Sequence, residues 1–380
     1  MTQGTTIFER MSALCRNSDA VNLGQGFPDL PDPPELIEAA RRALVDRSNQ
    51  YPPMRGLAEL RAAVCTYYGQ TQGLALDPSE VIVTSGATEA LAASILALVE
   101  PGDEVICVQP LYDAYVPLIE RAGGIPVFVD LKPPAWDLDI GALAEAITPR
   151  TAMILLNTPN NPTGTMLPRA TLEAIGQLAE AYDLIVLCDE VWEGMVFDGT
   201  PHISPLAIPS LRQRSVKVSS AGKIFSLTGW KIGWAVAAPE LAERIAARHQ
   251  FLTFTTPTPL QWAVADGLSL GRDWLAAHAA RYFLGRRALI KGLTEAGYSL
   301  LPASATWFVT VDLAASGFTQ EDAVVAERLV SEGGVGSIPV SAFYAQNPQT
   351  SYLRLCFCKT AETLTEAVER LARFRVQQSG

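Results

Sequence analysis

The feature that most restricts the fold of this 380-residue chain is an alternation along its first two-thirds. Short apolar, β-branched runs recur at residues 81–84, 104–108, 126–129, 152–156, 184–188, 216–219 and 233–237. Stretches with helical periodicity, such as 88–99 and 169–182, separate most of them. Apolar strands joined by helices predict an α/β fold with a mostly parallel sheet and helices on both faces. No helix intervenes between the last two runs, so one strand there is expected to run antiparallel. A helix is predicted after Pro33-Pro34, where Leu36, Ile37, Ala40 and Leu44 repeat at helical spacing, and another over residues 57–68. The residues before Pro28 read as irregular and rich in Gly and Pro. Beyond about residue 270 the pattern changes to long helices with a few strands, at 307–311 and 353–357. The expected division is an N-terminal arm (1–30), a large domain (31–270) and a smaller α+β domain (271–380).

Composition removes several function classes. Net charge is −11, with 29 Lys and Arg and no basic run, so nucleic-acid binding has no electrostatic footprint. The longest apolar stretch, 90–99, is too short to span a bilayer. Residues 1–10 lack the basic-then-apolar order of a signal peptide. The six cysteines stand singly apart from one C-x-C pair, and none of the three histidines is near a Cys pair. Neither a disulfide framework nor a zinc site is expected, and cytoplasm is the expected location.

Polar, Gly-rich or charged residues stand just after the C-terminal ends of the strands. They are Ser85-Gly86-Ala87-Thr88, Gln109 to Tyr112, Asn157 to Gly164, Asp189-Glu190 and Ser220-Ala221-Gly222-Lys223. Parallel strands deliver those ends to one edge of the sheet, where open α/β folds bind ligands. Turns alone would explain each segment but not their joint position.

Each segment has a plain reading beside the functional one. Ser85–Thr88 opens a helix; its small residues suit a phosphate, or form a simple cap. Asp189 ends an apolar strand, an expensive place for an unpaired carboxylate. No companion His or second carboxylate cluster supports a metal there, so a cationic cofactor nitrogen is the better partner. Glu190 reads as a solvated or hydrogen-bonded neighbour. Among the six lysines, Lys217 interrupts a strand, whereas Lys223 sits between Ser-Ser-Ala-Gly and Ile224-Phe225. That crowded setting suits a lowered pKa and Schiff-base chemistry; the alternative is a surface salt bridge. Arg354, flanked by apolar residues, faces either solvent at a sheet edge or a buried anion such as a carboxylate.

Together the segments resemble the class I/II aminotransferases of pyridoxal-phosphate fold type I, in the branch of kynurenine and methionine aminotransferases. The phrases NLGQGFPD (22–29), YPPMRG (51–56), SGATEAL (85–91) and NTPNNPTG (157–164) carry the resemblance. So do CDEVWE (188–193), SSAGKIFSLTGWKIGW (219–234) and RLCF (354–357). The resemblance implies pyridoxal 5′-phosphate as cofactor and a seven-stranded, mostly parallel sheet in the large domain. It implies Lys223 as the Schiff-base lysine and Asp189 as the partner of the pyridine nitrogen. Asn161 would donate to the cofactor's 3-oxygen and Tyr112 would stack on its ring. Gly86, Ala87, Thr88, Ser220 and Lys231 would form the phosphate cup, completed by Tyr51 from the other subunit of a homodimer. Arg354, with Gly26 and Asn161, would hold the substrate α-carboxylate. Trp192 departs from the family's usual tyrosine, and indole cannot ionise as a phenol can.

The expected reaction moves an amino group from a neutral or aromatic L-amino acid, of the methionine, kynurenine, glutamine or phenylalanine type, to a 2-oxo acid. No motif supplies a second arginine for aspartate, and the apolar segment Phe251-Leu252-Thr253-Phe254 is expected to line the pocket. A carbon–sulfur β-lyase is the nearest alternative. A cofactor-fold ligand sensor is a remote one, since such regulators carry an added basic domain.

Overall fold

The computed structural model of the chain describes residues 6–378, so residues 1–5 of the expected arm and 379–380 of the expected C-terminal domain lie outside it. All the expected strands form: β1 (Val81–Ser85), β2 (Glu104–Gln109), β3 (Ile125–Lys132), β4 (Thr151–Asn157), β5 (Ile185–Asp189), β6 (Ser215–Ser220) and β7 (Ile232–Ala237). They lie side by side in the order β1-β7-β6-β5-β4-β2-β3. A two-residue strand, Asp137–Leu138, adds an eighth member beyond β3.

Strands β6, β5, β4, β2 and β3 pair in parallel, and β7 runs against both its neighbours, β6 and β1. Only a helical turn (Ala221–Ile224) and a 3₁₀ turn (Thr228–Trp230) separate β6 from β7. That connection is too short for the crossover a parallel pair requires. The chain therefore turns straight back, and the first residues of β7 stand beside the last residues of β1 and β6.

The strands alternate between two cores. Ile82, Leu155, Leu187, Val216 and Val218 face helices Gly86–Leu98 and Pro239–Leu252. Val83, Ile154, Val186 and Trp234 face the opposite side, covered by helices Ala58–Gln72, Arg169–Ala181 and Thr258–Leu268. With both faces covered, the strands can be apolar throughout, which is why the runs stood out in the sequence.

The N-terminal segment is more ordered than its Gly and Pro content suggested. Ile7–Asn17 is a helix whose N-cap, Thr6, accepts the Glu9 N–H, and it buries Met11 and Cys15 one turn apart. The helix itself contains no glycine or proline, and apart from Gly4 these residues begin only after it. Val21–Asn22 then pairs in parallel with Val335–Gly336, so the beginning of the chain packs against its last third. There a small antiparallel sheet orders Ser299–Leu300, Phe308–Asp312, Tyr352–Cys356 and Ile338–Pro339. Helices Arg272–Glu295, Asp322–Ser331 and Ala361–Gln378 pack with it. No described helix is long and apolar enough to cross a membrane.

Candidate functional site

A cavity of about 210 Å³ lies at the C-terminal edge of the large sheet. Gly86, Ala87, Thr88, Tyr112, Asn161, Asp189, Trp192, Ser220, Lys223 and Lys231 all line it. The antiparallel β7 explains how Lys231 joins residues that end other strands. Register pairs Ile232 with Ser85 and Gly233 with Ser220, so the residue before β7 lies at the mouth of helix Gly86–Leu98. A Cβ at Gly233 would stand 2.6 Å from the Gly86 carbonyl carbon, so only glycine lets the helix start this close to the strand. Gly86 itself has φ +71°, and a Cβ there would lie 3.2 Å from Lys231 Nζ. Backbone N–H groups of a 13-residue helix, a hydroxyl and an ammonium thus meet in one small concavity, a pattern that suits a phosphate.

Asp189 is buried on the face of β5 that holds Tyr115. It accepts the Tyr115 O–H at 2.8 Å and the Val191 N–H at 3.2 Å. Burial pushes its carboxyl up to about 6, while those two donors and Lys223 pull it down. Asn157 ties the neighbouring strand ends together. Its Nδ2 donates to the Asp189 carbonyl at 2.9 Å, and its Oδ1 accepts the Asn161 N–H at 2.8 Å.

Lys223 follows β6 in the turn Ala221–Ile224. Its Nζ stands 4.7 Å from the Trp192 ring centroid and 5.2 Å from that of Trp307. Burial draws its pKa down to about 8, helped by Arg354 and opposed by the buried thiols and Asp189. No carboxylate of the described residues lies within ion-pair distance of it, so the surface salt-bridge reading falls. Trp192 packs edge-on against Trp307 at 4.9 Å and Phe308 at 5.3 Å.

Arg354 sits on a central strand of the small sheet, between Thr310 and Ile338, and is 1% exposed. Its Nη1 donates to Asn161 Oδ1 at 2.7 Å and its Nη2 to the Gly24 carbonyl at 2.6 Å. The guanidinium lies 3.9 Å from the Phe308 ring centroid, with Phe343 and Phe8 at 5.1 and 5.3 Å. Nε has no hydrogen-bond partner, and no described carboxylate forms an ion pair with the group. Burial holds its pKa down to about 10. Of the two readings of Arg354, the solvent-facing edge is therefore excluded. Gly26 lies against the Phe308 ring, beside this group.

Three expectations need correction or qualification. Phe251, Leu252 and Phe254 do not line the cavity. Phe251 and Leu252 border a separate surface hollow with Leu96 and Arg121, and Phe251 is 84% exposed. Phe251 and Leu252 end the helix Pro239–Leu252 on its exposed side, where apolar character alone does not tell a core position from a surface one. Tyr51 is also exposed, packs edge-on against Phe254 at 5.7 Å, and does not line the cavity of its own chain. Glu190 does have companions: Glu193 and His202 bring carboxylate and imidazole atoms within 4.8 Å of its own. Lys217 Nζ, however, sits among them, 2.6 Å from each carboxylate.

Sequence reasoning missed Tyr115, Asn157, Trp307 and Phe8. Asn157 and Tyr115 lay inside or beside quoted motifs, three or four residues from Asn161 and Tyr112. Phe8 and Trp307 come from distant segments and carry no local signal.

Known proteins were compared with this geometry. A family model described as aminotransferase class I and II matches residues 18–371. The methionine aminotransferase of Escherichia coli is 41% identical over 97% of this chain and 95% of its own. A solved structure reporting a methionine aminotransferase function in that organism superposes with a TM-score of 0.95, covering 98% of this chain and 97% of that one. A probable N-succinyldiaminopimelate aminotransferase of Mycobacterium tuberculosis is also 41% identical, over 97% of this chain and 96% of its own. Human kynurenine–oxoglutarate transaminase 1 is 34% identical over 96% of this chain and 94% of its own. The chain belongs to the class I and II aminotransferases, enzymes that work through pyridoxal phosphate.

Proposed function

We propose that this enzyme moves an amino group from a neutral or aromatic L-amino acid to a 2-oxo acid, with pyridoxal 5′-phosphate held in the cavity described above. One observation carries the reading: an amine drawn down to about 8 lines the cavity, and a buried guanidinium with no carboxylate in ion-pair distance stands just behind its wall, bonded to the lining residue Asn161. The residues fit the cofactor. Gly86, Ala87, Thr88, Ser220 and Lys231 would hold its phosphate, Tyr112 would cover its ring, and Asn161 and Trp192 would border its 3-oxygen. Asp189 would hold positive charge on the pyridine nitrogen, with Tyr115 and the Val191 N–H keeping its carboxylate ionised. When bound, the cofactor supplies an electron sink for charge developing at the substrate Cα.

The chain's own residues do the rest. Arg354 and Asn161, beside Gly26, grip the substrate α-carboxylate and fix the amino acid's orientation. Lys223 would be the residue that holds the cofactor, and its Nζ, when free, would take the proton from the substrate Cα. A near-neutral pKa suits an amine that must both give and accept a proton. The aromatic side chains of Tyr112 and Trp192 on the cavity wall, with Trp307 beside Lys223 and Phe8 beside Arg354, favour an uncharged side chain. Among the described residues no arginine lines the cavity itself, so this chain places none there for a distal carboxylate.

We also propose that the arm, the large domain and the C-terminal domain divide near residues 30 and 270. Two copies would share their sites, with Tyr51 reaching the partner's phosphate cup. Cytoplasm suits the six unpaired cysteines.

A panel of amino donors and oxo-acid acceptors tests the substrate class. Methionine, kynurenine, phenylalanine or glutamine should lead by kcat/KM, and aspartate leading would overturn it. Pyruvate released from a cysteine conjugate without an oxo acid would instead favour β-elimination. Mixing Lys223→Ala and Tyr51→Ala proteins should restore activity through hybrid dimers carrying one intact site. No recovery after proven subunit exchange would place Tyr51 outside the partner's site.

A further inference from the structure

The turn from Asp189 to Glu193 sits between two environments. Asp189, Val191 and Trp192 line the cavity, whereas Glu190 and Glu193 reach a polar cluster on the other face of the sheet, where Gln72, Glu193 and His202 border a separate surface hollow. Its centre is Lys217 of β6, which alternates with the core residues Val216 and Val218 and is fully buried.

Lys217 Nζ donates to Glu190 Oε2 and Glu193 Oε2, each at 2.6 Å, and lies 4.6 Å from the Tyr68 ring centroid. It also reaches Gln72 Oε1 at 3.4 Å. Glu190 takes two further contacts, from His202 Nε2 at 2.6 Å and Ser204 Oγ at 2.9 Å. Glu193 accepts from Tyr68 at 2.7 Å, from Gln72 Nε2 at 2.6 Å and from Ser219 Oγ. Trp234 Nε1 donates to the Tyr68 oxygen at 2.8 Å and closes the cluster from β7. Burial opposes charge on both partners, yet the ion pairs prevail. Glu190 is held below the usual carboxylate range by Lys217 and His202, and Lys217 is held above its own by the two carboxylates.

An arrangement of this kind is a poor device for stability, since well-packed apolar residues often serve as well. What it does fix is geometry. One ammonium ties together the two side chains that bracket Trp192, and the turn is closed by the Glu193 N–H on the Glu190 carbonyl at 3.0 Å. Asp189 is also held from outside the turn by Tyr115, so Val191 and Trp192 are the cavity residues that this pin bears on most directly.

We propose that Lys217 is a positioning residue: acting from the far face of the sheet through Glu190 and Glu193, it seats the Trp192 indole against Lys223. This rests on the reading of the cavity as the cofactor site. A seated indole favours positive charge on the neighbouring nitrogen through its π face.

The test uses the holoenzyme and follows the visible absorbance of the lysine–cofactor linkage as a function of pH. Lys217→Met should lower the apparent pKa of that linkage by about half a unit or more in the wild-type background. In a Trp192→Phe background the same change should lower it far less. Loss of the Lys217 charge alone would act in the opposite direction, raising the pKa in both backgrounds, and that result overturns the proposal. So does an unchanged titration with a lowered Tm, which is the mark of a merely structural role. If Lys217→Met does not fold, Glu193→Gln keeps one ion pair and should show a smaller downward shift that largely vanishes in the Trp192→Phe background; an equal shift in both backgrounds, which is the direct effect of the lost carboxylate charge, or no shift at all is equally fatal. A wild-type holoenzyme without a titrating band that depends on Lys223 would instead defeat the reading of the cavity.

Discussion

Arg354 and Lys217 are both buried cations on β-strands, and the chain treats them in opposite ways. Lys217 holds two carboxylates, with hydroxyl, amide and imidazole groups around them. Arg354 has an amide oxygen, a carbonyl and three phenylalanine rings, and no carboxylate. A buried charge needs compensation. Where the protein supplies it in full, the cation organises the fold; where the protein withholds it, a ligand is left to supply it. Lys223 falls with Arg354.

If that division holds, the largest effect belongs to Lys223→Ala. It should abolish turnover and the visible absorbance of the linkage without lowering Tm, because no protein ion pair is lost. A variant retaining a borohydride-reducible linkage and normal turnover would place the cofactor elsewhere. Next comes Arg354→Leu, expected to reduce kcat/KM by about a thousandfold through loss of a buried charge partner for the substrate. Its Tm should stay near wild type, whereas Lys217→Met, which strands two carboxylates, should destabilise the protein by about 3 kcal/mol. Chemical or thermal denaturation of both variants makes the contrast direct. If Arg354→Leu is the less stable of the two, the division fails.

Asp189 and Tyr115 give a smaller, pH-resolved effect. Because its folded pKa, about 6, lies above the unfolded value, Asp189 contributes stability to the apoprotein at low pH. That contribution is lost as pH rises through about 6. Cofactor affinity should show the converse, rising as the carboxylate ionises. Tyr115→Phe removes a donor to the ionised form and should move the midpoint of that rise upward by about one unit. An unmoved midpoint would mean that Tyr115 does not govern Asp189. The smallest effect is expected for Trp192→Tyr, a shift of about half a unit in the linkage's spectral pKa as a phenol replaces indole. An unchanged titration would show that position 192 does not touch the cofactor.

Repeating local patterns made the large sheet legible. Each strand announced itself by an apolar run, and the antiparallel β7 by the missing helix before it. Most residues that line the cavity were legible too, because the topology collects them at strand ends and the motifs there are contiguous. The helix Ile7–Asn17 was hidden behind the glycines and prolines that follow it, although Met11 and Cys15 stand one turn apart. The Lys217 cluster draws Tyr68, Glu190, Glu193, His202 and Trp234 from four separate stretches of chain. No local spacing encodes such a meeting; Lys217 appeared only as an oddity within a strand. Phe251 to Phe254 failed for the converse reason, since an apolar segment at a helix end does not say which surface it meets.

The reversed direction of β7 has a further consequence. Lys223 and Lys231 flank one short tether, residues 224–230, which runs from the end of the helical turn Ala221–Ile224 through the 3₁₀ turn Thr228–Trp230. On the proposed reading of the site, it would work as a ruler between the cofactor's covalent anchor and one wall of its phosphate cup. An added or deleted residue there would throw the two lysines out of phase, even though surface connections usually tolerate such changes. The hairpin that looks like the sheet's one irregularity is therefore where the chain should be least forgiving of altered length.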